Sequence, residues 1–430
     1  MFNKSFLFTA LISFTLFSCQ QTPEQVTHKD DYEIYLEADA DPALEVLKQD
    51  LVFWQAKLEK DPQQFPYLVQ LAGSQSQLFE MTGKIDYLIL AGKNLEGANK
   101  KTKYAKAGYL KALARNYISQ HRFKDALEIL KSAEITGEKL AGTQKMLFDV
   151  HMELGNYEEA EVYLTRIEDR TDFDFLIRYA KWSDHNGDLG TAITYMEKAT
   201  ERAETANLKS LKQWSYTNLA DFYGHNGEIE KSYEHYLKAL ELDPTDAYAK
   251  KGIAWIVYSH ERNPQEALRI LNAANEHHQA PDYFLLRAEI AEFQNDDLSK
   301  KQYLEQYFSE VSNKNYGAMY NSPNSLLLAE DGKEMDKALV LAHQEITNRP
   351  TPQSYDLLAW TYYNKGEYKQ ALAIAEQHVE NRTFEPAVLY HLAKIYKANG
   401  KEAKAKNLKK ELLESLYELG PGMEGHIQKI

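Results

Sequence analysis

Apolar residues recur along this chain with the spacing of short amphipathic helices, and the helices recur in pairs about every 34 residues. The clearest stretch runs from Tyr216 to Pro244. Leu219, Ala220 and Tyr223 share one face of a first helix. Ile229, Ser232, Tyr236 and Ala239 share one face of a second, with Gly227 between them. One such hairpin cannot bury its own apolar face. It has to stack on its neighbours, so the pattern predicts a solenoid with an extended concave surface.

Nine further copies align on the glycine turn and the alanine after it. The first lies near 69–95, with Phe79, Gly83 and Ile85, but has Gly92 where a large residue is usual. The second has Leu113, Ala114, Tyr117, Phe123, Ala126 and Ala133; the third Leu147, Gly155, Tyr157, Ala160 and Leu164. The fourth has Tyr179, Ala180, Gly187, Leu189 and Ala192. In the sixth, Asn263-Pro264 replaces the glycine before Ala267 and Leu271. The seventh, 281–311, is weak, and 311–325 is rich in Asn, Ser and Gly, which predicts a loop and a kink. The rhythm resumes with Gly332 and Ala338, is strong at Tyr355, Ala359, Tyr362, Gly366 and Ala371, and ends with Ala393, Tyr396, Gly400 and Ala405.

This order of small and aromatic residues resembles the tetratricopeptide repeat over most of the chain. Ala220, Ala359 and Ala393 stand where two helices approach closely, and Tyr223, Tyr362 and Tyr396 follow three residues later. The resemblance implies an all-α, right-handed solenoid of stacked helix-turn-helix hairpins. It also implies that first helices line a concave face that binds proteins or peptides. The family's ligand-facing positions carry over to Lys111, Arg115, Lys145 and Asp149, then Asp221, His225, Trp255 and Tyr258, then Asp356, Trp360, Tyr363, Tyr390 and Lys394. The groove is expected to be charged at one end and aromatic at the other. A carboxylate clamp is not expected, because Arg115 stands where that motif has Asn.

The N-terminus adds an address. Lys4 precedes an apolar stretch, Phe6 to Phe17, too short to span a bilayer. Leu16-Phe17-Ser18-Cys19 resembles the lipobox of bacterial lipoproteins, including those of the Bacteroidota, which implies a signal peptide over 1–18 and lipidation of Cys19. Gln20 after the cysteine favours the outer membrane, on its periplasmic face. Residues 19–40 read as a flexible tether, 41–310 as an N-terminal helix and repeat block, 311–325 as the interruption, 326–418 as a second block with a capping helix, and 419–430 as a mobile tail. Leu44, Leu47, Leu51, Trp54 and Leu58 mark the helix that opens the first block.

Composition narrows the chemistry. Cys19 is the sole cysteine, so neither a disulfide framework nor a thiolate metal site is available. The net charge of −14 disfavours nucleic acid as a partner. No phosphate loop, nucleophile elbow or zinc-protease motif is present. His277-His278 and Asp296-Asp297 read as polar loops, and the lysines from Lys100 to Lys111 as a solvated face. The expectation is a non-catalytic scaffold or adaptor, without cofactor or metal, anchored by a lipid and holding another envelope protein or a peptide segment. The alternative is an outer-membrane lipoprotein that captures glycans or other nutrients for a transporter.

Overall fold

The computed structural model describes residues 24–38 and 41–430, all helices and connections without a strand among them. Cys19, the lipobox-like run before it and the expected signal segment lie outside the described residues. Helix α1 (Lys29–Leu36) is followed by α2 (Pro42–Lys60), whose first turn is capped by the Asp41 carboxylate at 2.8 Å from the Ala43 amide. Ten hairpins then follow. They are α3 (Phe65–Thr82) with α4 (Ile85–Lys101), α5 (Ala107–Ser119) with α6 (Phe123–Thr136), and α7 (Leu140–Glu153) with α8 (Tyr157–Arg166). Next come α9 (Phe173–His185) with α10 (Leu189–Ala206), α11 (Lys209–His225) with α12 (Ile229–Leu242), and α13 (Ala247–Trp255) with α14 (Pro264–His277). The last four are α15 (Asp282–Phe293) with α16 (Asp297–Val311), α17 (Asn321–Asp331) with α18 (Met335–Asn348), α19 (Pro352–Asn364) with α20 (Tyr368–His378), and α21 (Pro386–Ala398) with α22 (Glu402–Glu414). The chain ends in α23 (Leu416–Leu419) and α24 (Glu424–Gln428). The architecture is an α-solenoid.

The repeated small residues do the packing expected of them. Ala126, Ala160, Ala192, Ala267, Ala338, Ala371 and Ala405 stand at the fourth position of seven of the ten second helices and are wholly buried, and Leu88 and Ser232 are buried at that place in hairpins 1 and 5. Hairpin 7 breaks the rule. Lys300 takes that place in α16, and the helix buries only Tyr307. A lysine cannot be closed over by the partner helix, which is why the sequence signal fades there.

The solenoid coils back on itself. The Gly83 turn of hairpin 1 meets the loop between hairpins 6 and 7, where the Gln279 amide donates to the Thr82 carbonyl at 2.8 Å. Lys124 Nζ reaches the Thr347 carbonyl at 2.5 Å, and Asn348 Nδ2 the His121 carbonyl at 3.2 Å. Gly155 lies under Pro350, Gly187 under the Phe384 ring and Gly224 under the Tyr417 ring. Arg349 reaches Glu153 at 3.4 Å, 196 residues earlier, the glycine contacts have a similar offset, and those of Lys124 and Asn348 span 223 and 227 residues. One superhelical turn therefore takes about six hairpins, and the second turn sits directly on the first.

Three segments expected to be loose are held by this closure. Part of the 19–40 tether folds as α1 and straps onto the second helices α12 and α14. The Val26 and Thr27 amides donate to Glu261 Oε1 at 2.9 and 2.6 Å, and the Arg269 guanidinium forks onto Glu33 at 2.9 and 2.6 Å. In the 311–325 interruption, Tyr316 is buried against Ile85 and Leu88, so the break in the pattern is a contact between turns. The 419–430 tail folds over the last hairpin, burying Ile427 and Ile430 among Leu389 and Leu412. None of these segments carries a local periodic signal, because their partners lie on another part of the coil.

Candidate functional site

First helices form the inner side of the curve. Consecutive first helices touch one another (α7 with α9, α11 with α13, α17 with α19, α19 with α21), as the inner members of a curved stack must. The residues carried over from the repeat pattern sit on these helices, but in three very different settings.

The early set is polar and partly free. Arg115 on α5 is exposed and has no ion pair or side-chain hydrogen bond among the described residues. Lys111, one turn earlier, reaches only the Lys139 carbonyl at 3.4 Å. Partial burial, with Lys139 and Arg115 nearby, lowers its pKa. Lys145 is engaged instead, at 2.6 Å from Asp172 and 3.0 Å from Asp174. Burial pulls its pKa down, but the two carboxylates outweigh that and hold it above the ordinary lysine value. Asp149 takes Arg178 at 2.6 Å.

Part of the middle set is covered by the chain's own C-terminal segment. Tyr417 stacks its ring over Gly224, and its carbonyl accepts from Trp255 Nε1 at 3.1 Å and from Ser259 Oγ at 2.6 Å. Tyr258 is fully buried in a π-helical turn, Ile256–His260, that continues α13. Its hydroxyl has no hydrogen bond of good geometry, and the Glu289 carboxylate is the group placed to supply one. Burial pushes Glu289 up to about 7. Asp221 accepts from the Tyr236 and Tyr248 hydroxyls, the latter at 2.6 Å. Its burial raises the pKa, and those two bonds only partly oppose the rise. His225 stays exposed, 3.8 Å from Glu418.

The late set is packing. The Asp356 carboxylate is buried 2.7 Å from His391 Nδ1, and its pKa is raised by burial against the opposing pull of that histidine. The Trp360 ring stacks on His391 at 4.0 Å and on Tyr363 at 4.8 Å, while its Nε1 faces Glu330 at 3.3 Å. Trp360 and Tyr390 are only 5% and 8% exposed, so little of either ring is offered to a ligand. Lys394 is half-buried, with its pKa lowered by burial and by Lys397 and Lys429. The aromatic end of the groove is thus largely an internal core.

Closure of the coil also creates a cavity of about 660 Å³ between α2, α3 and the starts of hairpins 6 and 7. Glu80 and Met81 form one wall; Asp246, Tyr248, Lys251, His278 and Asp282 form the other. The His277-His278 pair was expected in a solvated loop. It lines this cavity instead, with His277 Nε2 3.2 Å from the Ala38 carbonyl and His278 depressed in pKa by burial. Nothing local marks these residues, since the wall exists only once the second turn returns over the first. Among the described residues no three His, Cys, Asp or Glu side chains are placed to hold a metal ion.

The tetratricopeptide repeat family model matches residues 215–246 and 352–381, which are α11 with α12 and α19 with α20. The chain carries tetratricopeptide repeats. They are a protein-interaction architecture, and the hairpins between the two matched stretches stack in the same way. No curated protein matches the chain in sequence. Among solved structures, the chain is similar to human IFIT1, described as a dimer with m7Gppp-AAAA, at 14% identity and a TM-score of 0.47 over 73% of this chain and 70% of that one. It is similar to Pseudomonas aeruginosa pilF at 15% identity and a TM-score of 0.37, over 49% and 94% of the two chains. A tetratricopeptide repeat protein from Parabacteroides merdae matches at 16% identity and a TM-score of 0.34, over 60% and 96%.

Proposed function

We propose that this repeat protein is a non-catalytic envelope scaffold, exported and lipid-anchored through Cys19, that holds an acidic segment of another envelope protein. The supporting observation is the uneven occupancy of its inner face. Trp255 is covered by Tyr417 and its neighbours, Tyr258 is buried, Asp221 is engaged by two tyrosines, and most of the late positions form a core. Arg115 and Lys111 on α5 are left with unused hydrogen-bonding capacity on the first turn. In a chain of net charge −14, two such cations steer a carboxylate-rich segment and give it charge-assisted hydrogen bonds. The anchor reading rests on the lipobox-like Leu16-Phe17-Ser18-Cys19.

Affinity capture from solubilised envelope tests this reading. The chain from Gln20 onward is compared with Lys111→Glu/Arg115→Glu. The proposal expects a protein enriched by the parent and lost with the charge-reversed variant. Identical captured sets would refute it. For the anchor, metabolic labelling with a fatty acid should mark the full chain and not Cys19→Ser.

A further inference from the structure

A cleft of about 570 Å³ opens where the second turn lies over the first, between hairpins 3 and 4 on one side and hairpin 9 with its following loop on the other. Tyr157 and Trp182 line it from the first turn, Tyr355 and Phe384 from the second. Each wall carries a tyrosine against a histidine: Tyr157 with His185 at 4.2 Å, and Tyr355 with His378 stacked nearly parallel at 3.8 Å. Burial lowers both imidazole pKa values, assisted by Lys181 and by Arg382, which favours the uncharged form of each ring. Asn186 and Asn381 add carboxamides at the rim.

The charge pattern is unusual for this molecule. The protein holds 64 acidic residues, yet none of the twelve residues lining the cleft is Asp or Glu. Its one permanent charge is Arg382, which is exposed and makes no ion pair or side-chain hydrogen bond among the described residues. Neutral imidazoles and carboxamides can each donate and accept, as a sugar hydroxyl does. Aromatic faces suit the apolar faces of sugar rings, and a guanidinium suits a carboxylate in a two-pronged contact. The volume lies in the range of small-molecule sites.

We propose that this cleft binds an acidic saccharide, with a uronate carboxylate on Arg382 and its ring against Trp182 and Phe384. The inference is independent of the scaffold reading, because no cleft residue belongs to α5. The two walls come from different turns, so an occupant also ties the turns together and stabilises the folded coil by mass action.

The test is titration of the full chain with digalacturonate, followed by tryptophan fluorescence and by the shift in thermal midpoint. Lactose serves as the neutral comparison, phenylacetate as a ring-bearing acid without hydroxyls, and an acidic tetrapeptide as a peptide carboxylate. The expected result is saturable binding of digalacturonate, at least about tenfold tighter than lactose, as a charge-assisted hydrogen bond implies. Arg382→Gln should abolish that preference while keeping the parent's thermal midpoint without ligand. Trp182→Phe should remove most of the fluorescence response. Absence of saturation, unchanged preference in Arg382→Gln, or tighter binding of phenylacetate or the tetrapeptide would each overturn the assignment.

Discussion

Replacing Gly83 with alanine separates the cost of an unusual backbone from the cost of opening the contact between turns. Gly83 ends α3 with φ 68°, and Gly137 ends α6 with the same φ of 68°. In both places an added Cβ meets the left-handed penalty of about 1–2 kcal/mol. Around Gly137 nothing lies within 4 Å of that Cβ. At Gly83 it would stand 2.1 Å from the Gln279 carbonyl oxygen and 2.8 Å from its carbon, which are backbone atoms and cannot rotate away. The loop must move, and the 2.8 Å bond from the Gln279 amide to the Thr82 carbonyl goes with it. That bond is worth about 1 kcal/mol net. Gly83→Ala is therefore expected to cost about 1–3 kcal/mol more than Gly137→Ala, the upper end reflecting loss of neighbouring packing. Repeat arrays do not always unfold in one step, so the assay is amide exchange, read as local opening free energies beside urea denaturation. The loss should concentrate at 279–283, distant in sequence from the substitution. Equal losses at the two sites, within about 0.5 kcal/mol, would refute the stacked turns.

Other outcomes follow from the same packing. Trp360→Ala should destabilise the last two hairpins by about 3–5 kcal/mol, seen in the thermal midpoint, because the ring is buried between His391 and Tyr363. Glu289 has a folded pKa raised by burial from 4.5 to about 7, so its favourable contribution is complete below about pH 4.5 and is lost as pH rises through about 7. At 1.36 kcal/mol per unit this amounts to up to about 3 kcal/mol, and Glu289→Gln should flatten the dependence of urea midpoints between pH 5 and pH 8. Helix α16, with Lys300 in the alanine place and only Tyr307 buried, should show the fastest amide exchange of the ten second helices. Tyr417→Ala should speed amide exchange along α23, since the ring it removes is what packs this segment over Gly224.

Much of the fold was legible in the sequence, because a hairpin is specified by residues within about one repeat length. Ala126, Gly155 and Tyr223 each report a close approach, a turn or a filled space among near neighbours. Those signals marked out most of the hairpins, and they weaken where Lys300 replaces an alanine. The closure of the coil was not legible. Gln279, Pro350 and Phe384 act on glycine turns about 196 residues away, and no local pattern records so distant a partner. The same reason hides the ordered tail and the α1 strap. It also explains the candidate site. The repeat pattern says which residues lie on the inner helices, Lys111 and Arg115 on α5 among them. It does not say which inward positions the chain then covers itself, as it does Trp255 and Tyr258, or builds into a core, as it does Asp356 and Trp360.

The stacking of the two turns underlies both the choice of the open face and the cleft at Trp182. Its most direct test is a distance. Nitroxide labels at cysteines replacing Lys124 and Asn348, in a Cys19→Ser background, report the gap between hairpin 2 and the end of hairpin 8 by pulsed electron resonance. Lys124 reaches Thr347 and Asn348 reaches His121 across that gap. Stacked turns give a single narrow distribution at the short end of the measurable range. A long or broad distribution would mean an open superhelix and would rule the stacking out.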